Sequence, residues 1–342
     1  MDKKDIKGFS PEGLKVEMRK ISEPAYRAKQ ILFWLYKKGV NSFNAMGNIP
    51  KPLKDKLDSL YSIGNIQLYK RLVSTDKTEK FLFKLSDGNF IETVLIYAGG
   101  RKTLCLSTQV GCRYRCCFCA SGLKGFIRNL TPSEITNQIL FLQHTFKHKI
   151  TNLVFMGMGE PLDNYENVSS AIMIINSPEG IGIAARRITV STSGIIPGIE
   201  KLKNLGLQIN LSISLHAANN KLRDGLMPVN KKYPVGELIK ACQDYINTTG
   251  RILTLEYVLI KDKNDSEQNA EELAAIAKKL KAKVNLIPYS NICGFNLKAP
   301  QEADIEIFMN RLKSKRVSAT LRESKGKDIQ AACGQLAGMI SG

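Results

Sequence analysis

The spacing of hydrophobic positions changes along the chain, and each change indicates a different kind of element. Near the N-terminus, Ile31, Leu32, Leu35 and Tyr36 recur at helical spacing. Gly39 follows them at the position where a helix C-cap is expected. We therefore predict a small helical unit at the start of the chain.

Residues 65–97 change to a composition that is typical of β-strands. Two apolar, β-prone runs, 81–85 and 90–96, are separated by the turn sequence Ser-Asp-Gly-Asn at 86–89. This arrangement predicts a β-hairpin. The pair Gly99-Gly100 then follows as a hinge into the rest of the chain.

From residue 103 onward, strand-like runs alternate with helical stretches. The predicted strands are 103–108, 151–156, 187–192, 209–215, 252–260, 283–288 and 317–321. Serial βα units require a parallel sheet, and about six of them in a row indicate a barrel. The predicted fold class is therefore α/β, a partial (βα)6 TIM-like barrel with a small N-terminal helical domain and a β-hairpin extension.

Composition supports a packed globular protein and argues against two other classes. Of the 342 residues, 43% are hydrophobic and 24% are charged, which disfavours disordered and fibrous chains. The chain starts with charged residues, and it has no apolar run long enough to cross a bilayer. We therefore expect a cytoplasmic protein without a membrane partner.

The charge balance is strongly basic, with 50 Lys and Arg against 31 Asp and Glu and a formal net charge of +19. Such a surface attracts polyanions, and nucleic acid is the natural partner. A basic surface that only aids solubility is the alternative. The placement of several basic residues near a cysteine cluster favours phosphate binding. These residues are Arg113, Arg115, Lys124 and Arg128, and Arg223 is one of several basic residues further along.

Four of the eight cysteines lie between positions 112 and 119. Cys112, Cys116 and Cys119 have the spacing C-x3-C-x2-C, which suits an iron–sulfur cluster with one iron left open for a small molecule. Structural zinc is the alternative, but zinc sites usually need four protein ligands and no second cysteine pair is present. The adjacent Cys117 is expected to point elsewhere.

Further polar residues follow the predicted strands, where the active site of such a barrel lies. They are Gly159 and Glu160, Ser191, Ser214, Leu215 and His216. The segment 156–161 could be mistaken for a dinucleotide loop, but position 162 is leucine where the third glycine is required. His216 taken alone would more often be a structural histidine, and its place at a strand end favours a functional one.

The C-x3-C-x2-C motif, with Phe118 before the last cysteine, resembles the signature of radical S-adenosylmethionine (SAM) enzymes. The resemblance implies a [4Fe-4S] cluster on the three cysteines and SAM bound at the open iron, where an electron cleaves SAM to a 5′-deoxyadenosyl radical. It also implies that Gly159 and Glu160 contact the SAM amino group. The other SAM-site residues implied by it are Ser191, Ser214, Leu215 and His216.

The tail sequence Ala-Ala-Cys-Gly-Gln-Leu at 331–336 is similar to an element of the RlmN/Cfr family, radical SAM enzymes that methylate adenine carbons in RNA. The similarity extends through further segments and covers nearly the whole chain. These segments are 23–31, 92–94, 128–131 and 285–289, together with Cys105.

The resemblance assigns three catalytic residues. Cys333 would receive a methyl group from one SAM and carry it to the adenine as a methylene radical. Glu92 would take the ring proton, and Cys105 would form a transient disulfide with Cys333 that frees the methylated RNA. Without the resemblance, Glu92 would be taken as a surface carboxylate and Cys105 as packing volume.

One segment departs from the family pattern. After Ile287-Pro288 the family usually has an aromatic residue, asparagine and proline, whereas this chain has Tyr289-Ser290-Asn291. The asparagine that contacts SAM therefore corresponds to Ser290 by position or to Asn291 by a shift of one residue.

The resemblance also implies substrates and partners. We expect methylation of adenosine C2 in the peptidyl-transferase region of 23S rRNA and in tRNA at the adenosine 3′ of the anticodon, because Pro161 agrees with this branch better than with Cfr-type C8 methylation. We expect a monomer that receives electrons from a flavodoxin- or ferredoxin-type donor. A glycyl-radical activase, which needs neither Cys333 nor Cys105, and a non-catalytic iron–sulfur RNA-binding protein are the other classes considered.

We place the domain boundaries where the hydrophobic pattern changes. Residues 1–64 form an N-terminal helical accessory domain that is expected to bind RNA. Residues 65–100 form a β-rich extension, and residues 101–342 form the radical SAM barrel with the C-terminal catalytic cysteine segment.

Overall fold

The computed structural model describes residues 3–123, 125–292 and 295–338, so that Lys124 lies outside the described residues. The N-terminal elements are β1 (Lys4–Asp5), α1 (Pro11–Lys20), α2 (Arg27–Leu32), α3 (Lys51–Leu60) and β2 (Tyr61–Ser62). A π-helical segment, Phe33–Lys38, continues α2 and ends at Gly39, whose φ is 67°. The predicted helical unit is therefore present, with glycine at its left-handed cap.

A buried lysine connects this unit to the rest of the chain. The Lys7 ammonium donates to the Asn137 side chain at 2.9 Å and to the Gly64 carbonyl at 3.0 Å. Its side chain is almost fully buried, and burial lowers the pKa of Lys7 to about 8. Because Asn137 lies on the helix Pro132–His144 of the barrel, its bond with Lys7 connects the helical unit to the barrel.

The extension consists of β3 (Gln67–Val73), β4 (Glu79–Lys84) and β5 (Phe90–Ala98), and β6 (Arg101–Cys105) is the first strand of the barrel. Each strand is antiparallel to the next, and β4 and β5 form the predicted hairpin with Leu82 opposite Glu92. Gly88 adopts a φ of 84° in the turn between them. The strand β6 then pairs in parallel with another strand of the barrel, so the extension and the barrel share one continuous sheet.

The remaining elements alternate between strand and helix. In chain order they are β7 (Gln109–Gly111), β8 (Phe126–Asn129), α4 (Pro132–His144), β9 (Asn152–Phe155), α5 (Tyr165–Asn176), β10 (Ile188–Thr192), α6 (Ile196–Lys203), β11 (Asn210–Ser214), α7 (Asn220–Leu226), α8 (Val235–Thr249), β12 (Thr254–Leu259), α9 (Glu267–Leu280), β13 (Lys283–Pro288), α10 (Glu302–Ser314) and β14 (Ala319–Leu321). The parallel strands follow the order β6-β9-β10-β11-β12-β13-β14. Among the described strands β14 and β6 do not pair, so the predicted α/β barrel is confirmed as a partial, open one.

The interior of this barrel is not filled by large apolar side chains. Closed TIM barrels pack bulky branched residues inside, whereas many inward positions here are small or polar. They include Thr103, Cys105, Thr189, Ser191, Asn210, Ser212, Ser214, Thr254, Glu256, Lys283 and Asn285. As a result, the strands enclose cavities at the positions where such a barrel normally has its core.

Arg223 is buried, contrary to the expectation that it belongs to the basic surface. Its side chain is 0% exposed. Its guanidinium donates to the carbonyl oxygens of Leu215 at 3.0 Å, Ser193 at 2.6 Å and Ser214 at 3.2 Å, and to the side chain of Asn230 at 3.0 Å. Arg223 therefore holds the C-terminal ends of β10 and β11 together, directly beneath the polar residues that follow these strands.

We predict that Arg223→Ala lowers the free energy of unfolding by at least about 3 kcal/mol, because it leaves several buried acceptors without a donor. Chemical denaturation of the purified variant measures this change. Arg187→Ala is the matched control, since Arg187 is exposed, and it should change stability by less than about 0.5 kcal/mol. Equal effects of the two substitutions would contradict the structural role of Arg223.

Candidate active site

Cys112, Cys116 and Cys119 lie in the loop between β7 and β8, and all three line one cavity of about 170 Å³. The loop is fixed by backbone bonds from Cys112 to the Gly125 carbonyl at 3.1 Å and from Cys119 to the Cys116 carbonyl at 3.1 Å. Cys117 does not line the cavity, and its amide donates to the Leu226 carbonyl at 3.0 Å. The structure thus brings the three predicted ligands together and leaves out Cys117.

The chemistry of these thiols fits an iron–sulfur cluster. Burial raises the pKa of Cys112 to about 12 and also raises the pKa values of Cys116 and Cys119, so the thiols are protonated when no cluster is bound. Because thiolates are the ligands, binding of a cluster would release these protons. Within the described part of the chain, no three His, Cys, Asp or Glu side chains converge closely enough to hold a single metal ion. A cluster does not require such convergence, because each thiolate binds a different iron.

Glu160 and Gly159 border the same cavity, beyond the C-terminal end of β9. The Glu160 carboxylate accepts the amide of Ser193 at 2.7 Å and that of Leu162 at 3.0 Å, which fixes its orientation. Burial raises the pKa of Glu160, and these amides act in the opposite direction. Gly159 has a φ of 93°, and a Cβ there would lie 2.4 Å from the Cβ of Gln109, so only glycine fits.

His216 lines the cavity as a neutral imidazole. Burial lowers its pKa to about 3. Its Nδ1 accepts the amide of Val258 at 3.0 Å, which leaves Nε2 as the protonated nitrogen and a hydrogen-bond donor. The ring packs edge-on against Phe118 with 4.8 Å between centroids. His216 therefore connects β12 with the cysteine loop and also presents a donor.

The other predicted SAM contacts differ in whether they line this cavity. Ser191 and Ser214 line the cavity with their hydroxyl oxygens 3.4 Å apart. Ser290 is buried and also lines it. Asn291 is exposed and lies outside the lining, where its carbonyl accepts the Gln335 side chain at 2.7 Å. The side chain of Leu215 is buried away from the cavity, so a contact between Leu215 and SAM would involve its backbone.

A second cavity, of about 750 Å³, occupies the barrel interior next to the first one. The two cavities share Met156, Glu256, Ile287, Arg322 and Cys333 as lining residues. Cys333 is exposed and stands at this junction, although it is more than 200 residues from the cysteine loop in sequence. The arrangement gives one sulfur access to both spaces.

Two groups of hydrogen bonds hold the segment around Cys333. On its C-terminal side, the Gly334 carbonyl accepts the Ala120 amide at 2.7 Å and the Leu336 carbonyl accepts the Ser121 hydroxyl at 2.6 Å. Gly334 has a φ of 84°, and a Cβ there would lie 2.8 Å from the Phe118 carbonyl oxygen. These contacts fix the segment to the loop that carries the predicted cluster ligands.

On the N-terminal side, the segment is bound to the β-extension. Asp328 accepts the Ser74 hydroxyl at 2.5 Å and the Thr75 amide at 3.1 Å. The Lys80 ammonium donates to the Gln330 carbonyl at 3.1 Å. The extension therefore helps to position the segment that precedes Cys333.

Cys105 lines the larger cavity together with Cys333, and both are free thiols. Burial raises the pKa of Cys105 to about 12, which keeps it protonated at neutral pH. Arg322 also lines this space, and the charge that Cys333 can carry raises the pKa of Arg322. The junction thus combines two thiols with one guanidinium.

Glu92 lies beside these cavities without lining either of them. Its Oε1 is 3.0 Å from the Lys80 ammonium, and its Oε2 accepts the amides of Ala337 at 2.7 Å and Gly338 at 3.0 Å. The side chain is 4% exposed. In this conformation Glu92 therefore anchors the C-terminal segment.

The basic residues around the cysteine loop are partly engaged by carboxylates. Arg128 pairs with Asp87 at 2.5 Å and with Glu134 at 2.8 Å, and Arg113 pairs with Asp163 at 2.9 Å. Arg115 is exposed. Phosphate binding by the two paired arginines would have to compete with these ion pairs.

Sequence reasoning missed several residues that line the cavities, namely Ser193, Met227, Glu256, Tyr289 and Arg322. The alternation of inward positions along β12 could have indicated Glu256, because Thr254, Glu256 and Val258 all point into the barrel. Arg322 directly follows the short edge strand β14, and nothing local marks it as a cavity residue.

Sequence comparisons identify two regions of the chain. The model of the radical SAM superfamily matches residues 106–279, and that of the ribosomal RNA large subunit methyltransferase N-terminal domain matches residues 4–63. In the described residues, no helix is both long and apolar enough to cross a membrane.

Named relatives and a solved structure match over nearly the whole length. A probable dual-specificity RNA methyltransferase RlmN of Clostridium novyi is 46% identical, covering 97% of each chain, and one of Clostridioides difficile is 44% identical, covering 98% of each. The crystal structure of a radical SAM methyltransferase from Sphaerobacter thermophilus superposes with a TM-score of 0.92 at 40% identity, covering 98% of this chain and 100% of that one. This chain therefore belongs to the RlmN family of radical SAM methyltransferases, whose cofactors are a [4Fe-4S] cluster and SAM.

Proposed function

We propose that this enzyme methylates carbon 2 of adenosine in RNA by means of a methyl group carried on Cys333. The observation that carries the proposal is the position of Cys333 at the junction of two cavities, one bordered by the three ligand cysteines and one within the barrel. Relatives named as RNA methyltransferases support RNA as the substrate. The formal charge of +19 agrees with a polyanionic partner.

We propose two RNA substrates, the adenosine in the peptidyl-transferase region of 23S rRNA and the adenosine 3′ of the anticodon in tRNA. The words "dual-specificity" in the names of the relatives support two substrates. Pro161 after Gly159-Glu160 favours the C2 branch over Cfr-type C8 methylation. Residues 1–64 would serve as the accessory RNA-binding domain, and the match of a ribosomal RNA methyltransferase N-terminal domain to residues 4–63 supports this role.

Carbon chemistry explains why this reaction needs a radical enzyme. Adenine C2 is an electron-poor sp² carbon between two ring nitrogens, so it does not displace the methyl group of SAM directly. When bound at Cys112, Cys116 and Cys119, the cluster together with SAM supplies the methyl group and a 5′-deoxyadenosyl radical. The chain would contribute the binding site for SAM, the methyl-carrying sulfur and the groups that release the product.

The smaller cavity would hold SAM. Glu160 is an oriented acceptor suited to the amino group of SAM, and Gly159 beside it borders the same cavity. Ser191, Ser214 and the Nε2 of His216 are the candidate donors around the rest of the molecule. Ser290 would replace the family asparagine, because it lines the cavity whereas Asn291 does not.

Cys105 would release the product from Cys333. Attack of the Cys105 thiolate on the Cys333 sulfur breaks the bond between that sulfur and the transferred carbon. The electron pair remains on the carbon, which takes up a proton to become a methyl group, and the two cysteines form a disulfide. A cellular thiol reductant then restores both thiols. Both side chains line the larger cavity, as this step requires.

Glu92 would take the ring proton after the carbon–carbon bond has formed, and the unpaired electron left on the ring would pass to the oxidised cluster that Cys112, Cys116 and Cys119 would hold. Its carboxylate at present contacts the Lys80 ammonium and the amides of Ala337 and Gly338. Because Glu92 lines neither cavity, this role requires residues 331–338 to shift when RNA binds. Segment movement and proton transfer would therefore be coupled.

We further propose a monomeric, cytoplasmic enzyme that receives electrons from a flavodoxin- or ferredoxin-type donor. The reaction needs an external one-electron source, and a basic protein surface is complementary to the acidic surface of such carriers.

We predict that Cys333→Ala abolishes methylation of both the protein and the RNA, because no other exposed sulfur lines both cavities among the described residues. Mass spectrometry after anaerobic incubation with methyl-labelled SAM measures the label on Cys333 and on RNA. Cys242→Ala, which removes a buried thiol in α8, is the control and should keep activity. Formation of 2-methyladenosine by the Cys333→Ala variant would contradict the proposal.

We predict that Cys105→Ala accumulates RNA covalently bound to the protein, which denaturing gel electrophoresis detects. In the unsubstituted enzyme, release of this adduct should become about tenfold faster for each pH unit between pH 7 and 9. The reason is that burial raises the pKa of Cys105 to about 12, so its thiolate fraction grows with pH over this range. A release rate that does not depend on pH would argue against attack by Cys105.

We predict that Glu92→Gln lowers RNA methylation by at least about 100-fold, because an amide cannot take the ring proton. The glutamine oxygen can still accept the amides of Ala337 and Gly338, so methylation of Cys333 in the absence of RNA should stay within a few-fold of normal. Quantitative mass spectrometry measures both steps. A parallel loss of both would instead indicate that Glu92 acts only as an anchor.

A further inference from the structure

Glu256 carries a buried carboxylate oxygen that has no partner. The residue is 4% exposed, and no hydrogen-bond donor of the described residues reaches its Oε2. Its Oε1 accepts a long bond from the Asn285 side chain at 3.5 Å. Burial raises the pKa of Glu256, and the nearby Ser212 side chain lowers it without completing a hydrogen bond to Oε2. A buried acceptor without a donor is destabilising, so a ligand that supplies the donor would be bound more tightly.

The position of Glu256 links this acceptor to the reaction path. Glu256 lies on β12 opposite Asn285 of β13, and its side chain borders both cavities. Cys333 borders both as well. A molecule in the larger cavity that is close enough to react with Cys333 therefore also meets Glu256.

The described residues do not place Glu256 in an ion pair of the fold. The positive charge of Arg322 lowers the pKa of Glu256. The Arg322 guanidinium, however, contacts the sulfur of Met156 at 3.8 Å. Among the described residues, the Asn285 amide has no side-chain bond other than the long one to Oε1. The group thus offers an acceptor and an adjacent amide toward the interior.

We propose that Glu256, assisted by Asn285, recognises the 6-amino group of the target adenine and so determines base specificity. The inference rests on the proposed function. The amine donates to Oε2, and the neighbouring ring nitrogen can accept from the Asn285 amide. Guanine would present a carbonyl oxygen to Oε2 instead of a donor. Because C2 and the 6-amino group belong to the same six-membered ring, a base whose C2 faces Cys333 presents its amine to another wall of the cavity.

The test compares two RNA stem-loops, one with adenosine at the target position and one with purine ribonucleoside, which lacks only the 6-amino group. The ratio of kcat/KM for the two RNAs is measured for the unsubstituted holoenzyme and for Glu256→Ala. We expect the unsubstituted enzyme to prefer adenosine more strongly than Glu256→Ala does, by a factor of about 10 to 100, the contribution of one hydrogen bond to a charged group. The comparison of ratios removes the intrinsic difference in reactivity between the two bases.

A second readout separates base recognition from SAM binding and from folding. Methylation of Cys333 in the absence of RNA, measured by intact mass, should stay within about threefold of normal in Glu256→Ala. Glu256→Gln keeps the shape and one acceptor oxygen, and it should retain a large part of the preference for adenosine. Glu323→Gln is the matched control, because it removes an exposed carboxylate at the rim of the same cavity whose partner is Lys325, and it should keep the full preference.

The outcomes are distinguishable. An unchanged ratio in Glu256→Ala overturns the inference and leaves the proposed function intact. A parallel loss of Cys333 methylation also overturns it and assigns Glu256 to the SAM site or to the fold. An unsubstituted holoenzyme that methylates Cys333 but neither RNA contradicts the proposed function, and with it the inference.

Discussion

The proposed reaction depends on an open barrel interior with one cysteine of the C-terminal segment held inside it. Threonine, serine and asparagine occupy inward positions at which other barrels place branched apolar residues, so the strands enclose space for ligands. The C-terminal segment crosses this space and is bonded to the cysteine loop through Ala120 and Ser121 and to the extension through Lys80. A single sulfur, that of Cys333, thereby reaches two chemically different compartments.

This arrangement gives the β-extension a role beyond that of a linker. Its strands continue the barrel sheet, and its residues hold the segment that precedes Cys333. Glu92, on the same extension, holds the residues that follow. Because the anchor of the segment is also the proposed base, movement of the segment and transfer of the proton can depend on each other.

Much of the fold and part of the site could be predicted from the sequence, for identifiable reasons. The strands follow from local runs of β-prone residues, and the three ligand cysteines lie within eight consecutive positions, so spacing alone is informative. The hairpin at 86–89 has a turn sequence with glycine at the position of positive φ.

Other features depend on contacts between distant residues and have no local signal. That Ser290 and not Asn291 lines the smaller cavity depends on the course of the chain after β13 in three dimensions. The burial of Arg223 depends on carbonyls from two strands, although arginine in a basic chain suggests an exposed residue. The anchoring of Glu92 requires amides that lie about 245 residues later in the chain. Periodicity and motif spacing cannot reveal such contacts.

In the proposed reaction, the sulfur of Cys333 receives a methyl group from SAM bound beside Cys112, Cys116 and Cys119. The most direct measurement is an anaerobic crystal structure of the reconstituted holoenzyme with SAM. We expect the methyl carbon of SAM in the smaller cavity, about 3.5 Å from the Cys333 sulfur and in line for transfer. A structure in which other side chains separate this sulfur from the SAM methyl group, with the segment still bonded to Ala120 and Ser121, would contradict it.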